Sequence, residues 1–281
     1  MLRSTFCHLE KVGQTKERRL WAAGVHSWND VLRSTNLRVS KAFVKQARPA
    51  LEESERRLRM GDAAYFSDRL PVREHWRLFH EFRHSTAYMD IETTGMGKPD
   101  DYITTITLYD GRSIRAYIHD QNLFDFREDI RDYHLVVTYN GKCFDVPWLE
   151  RFFGMRFHQA HIDLRYVLAS LGLRGGLKGC EGQLGIDRGE LAGVDGFFAV
   201  LLWQDFIGRD NRSALETLLA YNAQDTVNLE RLMVYAYNRK VECTPFAHLY
   251  RIPEPQPPSI PFSPDVATIR LLKRFFGASG F

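Results

Sequence analysis

Three short segments carry side chains that could do chemistry together. They are Asp90-Ile91-Glu92-Thr93-Thr94-Gly95, Asn140-Gly141-Lys142-Cys143-Phe144-Asp145 and Tyr221-Asn222-Ala223-Gln224-Asp225. Between them they supply four carboxylates and one phenol, the set that two-metal phosphodiester chemistry requires. Magnesium prefers oxygen ligands, octahedral geometry and retained water. Two such ions about 4 Å apart can clamp a phosphodiester, one activating water and the other stabilising the leaving oxygen.

Each segment implies the element that must position it. Thr86-Ala87-Tyr88-Met89-Asp90-Ile91-Glu92 reads as a strand, so Asp90 and Glu92 share one face while Met89 and Ile91 point to the opposite, buried one. Two adjacent carboxylates repel each other. At the end of an apolar strand they need a cation or a proton, unless the strand is a solvated edge. Leu135-Val136-Val137-Thr138-Tyr139 suits a second buried strand, and Asn140-Gly141 is a turn dipeptide. Asp145 precedes Val146-Pro147-Trp148-Leu149, where Pro147 fits a first helical turn. Asp145 is therefore expected as an N-cap that can also face a cleft. The third segment lies on a helix expected from Ala214 to Tyr237, with Leu215, Leu218, Leu219, Val227, Leu229, Leu232 and Met233 at helical spacing. Tyr221 and Asp225 are four apart and share a face, as part of a site or as an ordinary surface pair.

In this order the segments match Asp-x-Glu, Asn-x-x-x-Phe-Asp and Tyr-x-x-x-Asp. They resemble the three motifs of the DEDD (DnaQ-like) 3′→5′ exonucleases of the ribonuclease-H-like superfamily, in the tyrosine (DEDDy) subclass. The proofreading domains of family B DNA polymerases carry similar motifs. From about Tyr65 to Tyr237 the chain more closely resembles the small YprB-like bacterial proteins. That likeness is carried by Leu70-Pro71, Trp76-Arg77, His161-Ile162-Asp163-Leu164-Arg165 and Gly175-Gly176-Leu177-Lys178. The resemblance implies a metal-dependent 3′→5′ exonuclease acting at the 3′ end of single-stranded DNA or RNA. It implies two ions, Mg2+ or Mn2+, held by Asp90, Glu92, Asp145 and Asp225. Glu92 would also orient the attacking water. A free phenol titrates at about 10, so Tyr221 would position that water rather than serve as a formal base. Asn140 and the backbone at Thr93 would place the terminal nucleotide, and Lys178 would reach substrate phosphate. Asp163 is a supporting or structural carboxylate, and His161 a packed histidine.

The whole chain sets outer bounds. Its 281 residues, 44% of them hydrophobic, are ample for a sizeable core. No apolar run is long enough to cross a membrane, and Met1–Glu10 lacks the apolar core of a signal peptide. Cys7, Cys143, Cys180 and Cys243 are scattered without metal-ligand spacing, which suits a reducing cytoplasm. Residues 1–85 hold 17 Lys+Arg against 10 Asp+Glu, a balance of +7, so with +3 overall the remainder carries −4. A basic part joined to an acidic catalytic part suits a nucleic-acid enzyme; ordinary charge scatter is the alternative.

The expected architecture is α/β: a ribonuclease-H-like mixed sheet flanked by helices, with an N-terminal helical extension and a Pro-rich C-terminal tail. Residues 1–83 form the basic helical region, 84–240 the exonuclease domain and 241–281 the extended tail with a short helix. In the first region Lys16–Gly24, a capping box at Ser27-Trp28-Asn29-Asp30 and Lys41–Met60 mark helices. Val12–Val25 either forms a helix-hairpin-helix phosphate grip or belongs to a helical cap over the sheet. Strands are expected at 103–109 and 113–118, joined by the turn Asp110-Gly111, then a helix near 123–131 and a strand near 161–164. The glycine-rich stretch 172–210 holds short apolar groups, with Gly175-Gly176-Leu177-Lys178 as a turn before a helix. Six prolines between 253 and 264 require extended chain, ahead of an amphipathic helix at 265–275. Two other readings stay open: a structure-directed endonuclease of the same fold, and a non-catalytic nucleic-acid-binding module.

Overall fold

The computed structural model describes residues 1–33 and 39–277. Among them five strands form one sheet: β1 (Thr86–Thr93), β2 (Ile103–Tyr109), β3 (Ile114–Ile118), β4 (Leu135–Thr138) and β5 (Ala160–Asp163). Their order is β3-β2-β1-β4-β5. β1 and β2, and β2 and β3, pair antiparallel; β1 and β4, and β4 and β5, pair parallel. This is the mixed sheet of the expected ribonuclease-H-like fold. The β2–β3 turn forms as its dipeptide dictates: Gly111 takes φ +87°, and Asp110 Oδ1 accepts the backbone N–H groups of Arg112 and Ser113.

The helices are α1 (Gln14–Ala22), α2 (Trp28–Arg33), α3 (Lys41–Arg59), α4 (Ala63–Ser67), α5 (Phe79–Phe82), α6 (Phe126–Asp129), α7 (Asp145–Phe153), α8 (Leu164–Ala169), α9 (Gly176–Gln183), α10 (Gly196–Arg209), α11 (Arg212–Val241), α12 (Ala247–Tyr250) and α13 (Val266–Gly277). A 3-10 segment, Val72–Leu78, leads into α5. Alternation on β1 decides which helices cover which face. Ala87, Met89 and Ile91 pack with Phe126, Ile130, Trp148, Leu149 and Phe153 of the α6–α7 side. Tyr88 faces the other way, into a core shared with Val227, Leu229, Leu232 and Met233 of α11. The 30-residue α11 lies along the β1–β2 side of the sheet.

The N-terminal region packs as a helical cap. Met1, Phe6, Trp21, Trp28 and Phe66 belong to the same core as Leu135, Val137 and Ile162 of the sheet. Arg77 ties the cap internally, donating to Glu17 Oε2 at 2.9 Å and to Glu74 Oε2 at 2.7 Å, all three buried. A helix-hairpin-helix does not form. Val12-Gly13 lead into α1 instead of joining two helices, and α1 ends at Gly24 with φ +85°. Half of the capping box on α2 forms: Asp30 Oδ2 accepts the Ser27 N–H at 2.7 Å, but Ser27 Oγ donates to the same carboxylate instead of accepting the Asp30 N–H.

Two elements differ from expectation. Residues 196–209 make a full helix, α10, capped by Asp195, whose side chain accepts the Phe198 N–H. Its apolar residues run nearly all round (Phe197-Phe198-Ala199-Val200-Leu201-Leu202-Trp203), so they lack the stripe that marks an amphipathic helix. In α13 Thr268, Ile269 and Leu272 are buried, whereas Leu271 and Phe275 are exposed, so the apolar docking face rests on Ile269 and Leu272. The proline-rich chain before it follows the fold surface, with the Ile252 N–H donating to Asn238 Oδ1 and the Ser263 N–H to Glu216 Oε1. No described helix is long and apolar enough to cross a membrane.

Candidate active site

The carboxylates gather at the C-terminal end of β1, beside α11. Asp90 and Glu92 project from one face of β1, because both lie at even steps along the same strand. The β1–β2 register shifts between Glu92 and Thr93. A bulge of this kind re-aims side chains beside it. Asp225 comes from α11, and one oxygen from each of Asp90, Glu92 and Asp225 lies within 4.8 Å of the others. Glu92 and Asp225 are buried and Asp90 half-buried.

Asp145 arrives from a different direction, at the first turn of α7. It does not cap that helix, contrary to expectation. Phe144 occupies the N-cap position and no side-chain cap forms, because the turn Asn140–Phe144 already supplies carbonyl acceptors. Asp145 is buried, and its Oδ1 has no hydrogen-bond partner. It stands outside the group of three, yet among neighbouring charges it acts most strongly on Asp90.

The turn that delivers Asp145 is rigidly built. Asn140 adopts φ +66°. Asp163 accepts the backbone N–H groups of Asn140 at 2.8 Å, Lys142 at 3.1 Å and Arg165 at 3.0 Å. One carboxylate therefore holds the turn and caps α8 at once, which assigns Asp163 a structural role. Gly141 is required there, since an added Cβ would run into Thr138. His161 is a packed histidine: its Nε2 meets Thr138 Oγ1 at 2.9 Å, and burial pushes its pKa down to about 3.

The electrostatics of the cluster follow from crowding. Burial, then the charges of Asp145, Glu92 and Asp225, hold the Asp90 carboxyl well above the usual carboxylate range. Burial and Asp225 do the same to Glu92. Burial raises Asp145 to about 7. Burial and the Asp225 charge raise the Tyr221 phenol above its ordinary value, so it is neutral at physiological pH. Buried carboxylates this close need a cation or protons to coexist. Three carboxylate donors, with the buried, unpartnered Oδ1 of Asp145 outside the group, fit a hard divalent cation.

Around the cluster, Asn222 and Arg188 carry roles that the motifs do not signal, whereas Lys178, Thr93 and Asn140 are expected from the sequence. Asn222 Nδ2 donates to Asp90 Oδ2 at 2.7 Å, while Asn222 Oδ1 accepts from Thr107 Oγ1 at 2.7 Å and Thr105 Oγ1 at 3.3 Å. Fully buried Asn222 thus fixes Asp90 to β2. Lys178 Nζ donates to Tyr221 Oη at 2.5 Å and lies 3.6 Å from Asp225 Oδ2. Its position follows from α9, which starts at Gly176 after a left-handed Gly175. Arg188 pairs with Asp225 and with Glu181. A period-3.6 reading of α11 does place Asn222 one position beyond Tyr221; what it cannot supply is the strand opposite. Thr93 is buried with its Oγ1 donating to Gly95 O at 2.6 Å, and Asn140 Oδ1 accepts from Arg165 Nη1 at 2.5 Å.

Asn222→Leu keeps the side-chain size and removes three hydrogen bonds. It should cost about 1–3 kcal/mol of stability through the stranded threonine hydroxyls. It should also weaken divalent-ion binding about tenfold, since Asp90 loses its anchor. Thermal unfolding beside metal titration checks both; an unchanged ion affinity would show that Asp90 needs no support.

The sheet order and the acidic cluster at its centre define a nuclease-type α/β fold. A family model described as RNase_H superfamily matches residues 87–237. That is more than half of the chain, and the chain belongs to that superfamily. No curated protein matches it. Among solved structures it is similar to the family B DNA polymerase from the hyperthermophilic archaeon Pyrobaculum calidifontis, at TM-score 0.43 and 17% identity. The match covers 60% of this chain and 27% of the polymerase, so this chain corresponds to a minor part of that protein's length.

Proposed function

We propose that the protein is a metal-dependent 3′→5′ exonuclease of the DEDDy, YprB-like type, which hydrolyses single-stranded DNA or RNA by a two-metal mechanism. The observation that carries this reading is the convergence of Asp90, Glu92 and Asp225 within 4.8 Å, beside a neutral Tyr221 and an unpartnered, buried Asp145. Asp90, Glu92, Asp145 and Asp225 would hold the ions, Mg2+ or Mn2+. Bound there, the ions lower the pKa of the attacking water and stabilise charge on the leaving oxygen. Glu92 orients the water from β1. Tyr221 donates its phenolic proton toward the same water, and Lys178 keeps the phenol aimed by donating to its oxygen. Lys178 is about one-third exposed, so its ammonium can also meet a substrate phosphate. Asn140, in the turn before α7, and the Thr93 backbone, at the end of β1, would position the terminal nucleotide. The cationic balance of residues 1–85 supports phosphate contacts outside the cleft. Four free cysteines agree with a reducing cytoplasm.

The test is degradation of 5′-labelled oligonucleotides, single- and double-stranded, DNA and RNA, with Mg2+, Mn2+ or EDTA. A metal-dependent ladder shortening from the 3′ end is the expected result and names the sugar. Cleavage without regard to a terminus would replace the exonuclease by an endonuclease, and binding without cleavage would leave a binding module. Tyr221→Phe should retain substrate binding and lose rate by about 10²-fold. Equal single-turnover rates in Tyr221→Phe and wild type would remove the phenol from the mechanism.

A further inference from the structure

Asp225 is held from behind by half-buried Arg188 and buried Glu181, which lie in none of the three motifs. Arg188 spans two carboxylates: its Nη1 donates to Glu181 Oε2 at 2.7 Å, and its Nη2 donates to Asp225 Oδ1. Glu181 is fully buried, and its other oxygen, Oε1, accepts from Asn228 Nδ2 at 2.8 Å. Asn228 and Asp225 are three residues apart on α11, so the network closes on the helix that carries the carboxylate. Gly185 at φ +68° and Gly189 at φ +51° bracket the loop that brings Arg188 in.

Two features of this network bear on what Asp225 can bind. The first is geometric. Arg188 commits Oδ1 to a charge-assisted hydrogen bond. Among the described residues Oδ2 accepts no hydrogen bond, with Lys178 Nζ 3.6 Å away. The second is charge. Glu181 offsets the guanidinium, so the Glu181–Arg188 pair is neutral and Arg188 does not by itself cancel the Asp225 charge. An arginine without its own carboxylate would cancel Asp225 outright.

We propose that the Glu181–Arg188 pair positions Asp225 for ligation through a single oxygen and thereby favours Mg2+ over Ca2+ at this site. The inference rests on the metal-dependent reading above. Mg2+ demands near-ideal octahedral geometry and retains water, whereas Ca2+ takes roughly 6–8 oxygens and gains from bidentate carboxylates. With one lone pair of Oδ1 taken by Arg188, chelation of one ion through both oxygens is disfavoured. Releasing Oδ1 gives Ca2+ a second contact and gives Mg2+ none. Arg188 and Glu181 are positioning residues here, acting only through Asp225.

The test is calorimetric titration of the full chain with Mg2+ alone, Mn2+ alone and Ca2+ alone, without nucleic acid. Arg188→Met leaves Glu181 buried without its counter-charge and lowers stability. The double variant Glu181→Gln/Arg188→Met removes both charges together and is titrated beside it, with circular dichroism confirming the fold. Ca2+ affinity relative to Mg2+ should rise about tenfold in both variants. An unchanged ratio in the folded double variant overturns the proposal. Equal tightening of Mg2+ and Ca2+ overturns it too, because Arg188 would then act only as a competing charge. Asp90→Asn separates this failure from that of the underlying reading. If wild type and Asp90→Asn give the same Mg2+ and Mn2+ heats, the cluster is no metal site and both conclusions fall. If Asp90→Asn abolishes binding while the ratio stays fixed, only the positioning role is lost.

Discussion

Asp90→Asn should abolish metal-dependent phosphodiester cleavage while leaving the fold intact. The loss expected is at least about 10³-fold, equivalent to about 4 kcal/mol of transition-state stabilisation. The reason is placement. Asp90 is the strand carboxylate acted on by Asp145, Glu92 and Asp225 together. The amide keeps an oxygen to accept from Asn222 Nδ2, so the anchor to β2 survives. Only the charge goes. In EDTA at pH 8 the variant should melt higher than wild type, because one buried repulsive charge is removed. Activity loss with a raised melting temperature is the signature of a ligand kept for function at a cost to stability. Retained metal-dependent cleavage in Asp90→Asn would sink the site assignment, and a lowered melting temperature would sink the repulsion argument.

The second large effect is on stability as a function of pH. Burial raises the Asp145 carboxyl from 3.8 to about 7. The folded protein therefore binds that proton more tightly than the unfolded chain does. The resulting stabilisation is complete below about pH 4 and is lost as pH rises through about 7. From Asp145 alone the span is at most about 4 kcal/mol, at 1.36 kcal/mol per pKa unit. The raised carboxyls of Asp90 and Glu92 act in the same direction. Buried His8 and His161, pushed down to about 3, change stability in the opposite sense over the same window, so the decline is read as the difference between wild type and Asp145→Asn in denaturant unfolding in EDTA between pH 4 and pH 8. Asp145→Asn should flatten part of it, and saturating Mg2+ should restore stability at pH 8 by binding the folded state. A stability difference between wild type and Asp145→Asn that does not change with pH in EDTA would mean that water, not burial, governs this carboxyl.

The strands and most helix limits were legible because their causes are local. Alternation on β1 fixes the faces of Met89 and Asp90 whatever lies beside the strand, and Asp110-Gly111 makes its turn from its own backbone preferences. Asp145 shows where local signals mislead. A carboxylate before Val146-Pro147 reads as a cap, but the cap is decided by whether the first-turn N–H groups already have acceptors, and here Gly141 O takes the Val146 N–H while Pro147 has no N–H. The α10 helix was missed for a related reason. Its exposed face carries apolar Phe197 and Ile207, so no polar stripe gives it a period, and its start signal is only Asp195. In α13 the apolar residues are more numerous than the docking face needs, and only contact with the α10–α11 core selects Ile269 and Leu272.

For the site the division has the same origin. The sequence by itself determined which residues could do the chemistry: spacing along one strand pairs Asp90 with Glu92, and spacing along one helix pairs Tyr221 with Asp225. Only the tertiary structure decided that the strand pair and Asp225 meet within 4.8 Å, that Asp145 stands beside them, and that Asn222 and Arg188 brace two of them from behind. Periodicity acts between neighbours on one element, whereas convergence depends on how β1, α7, α9 and α11 cross. That crossing is set by packing of the two faces of the sheet, which no single segment contains.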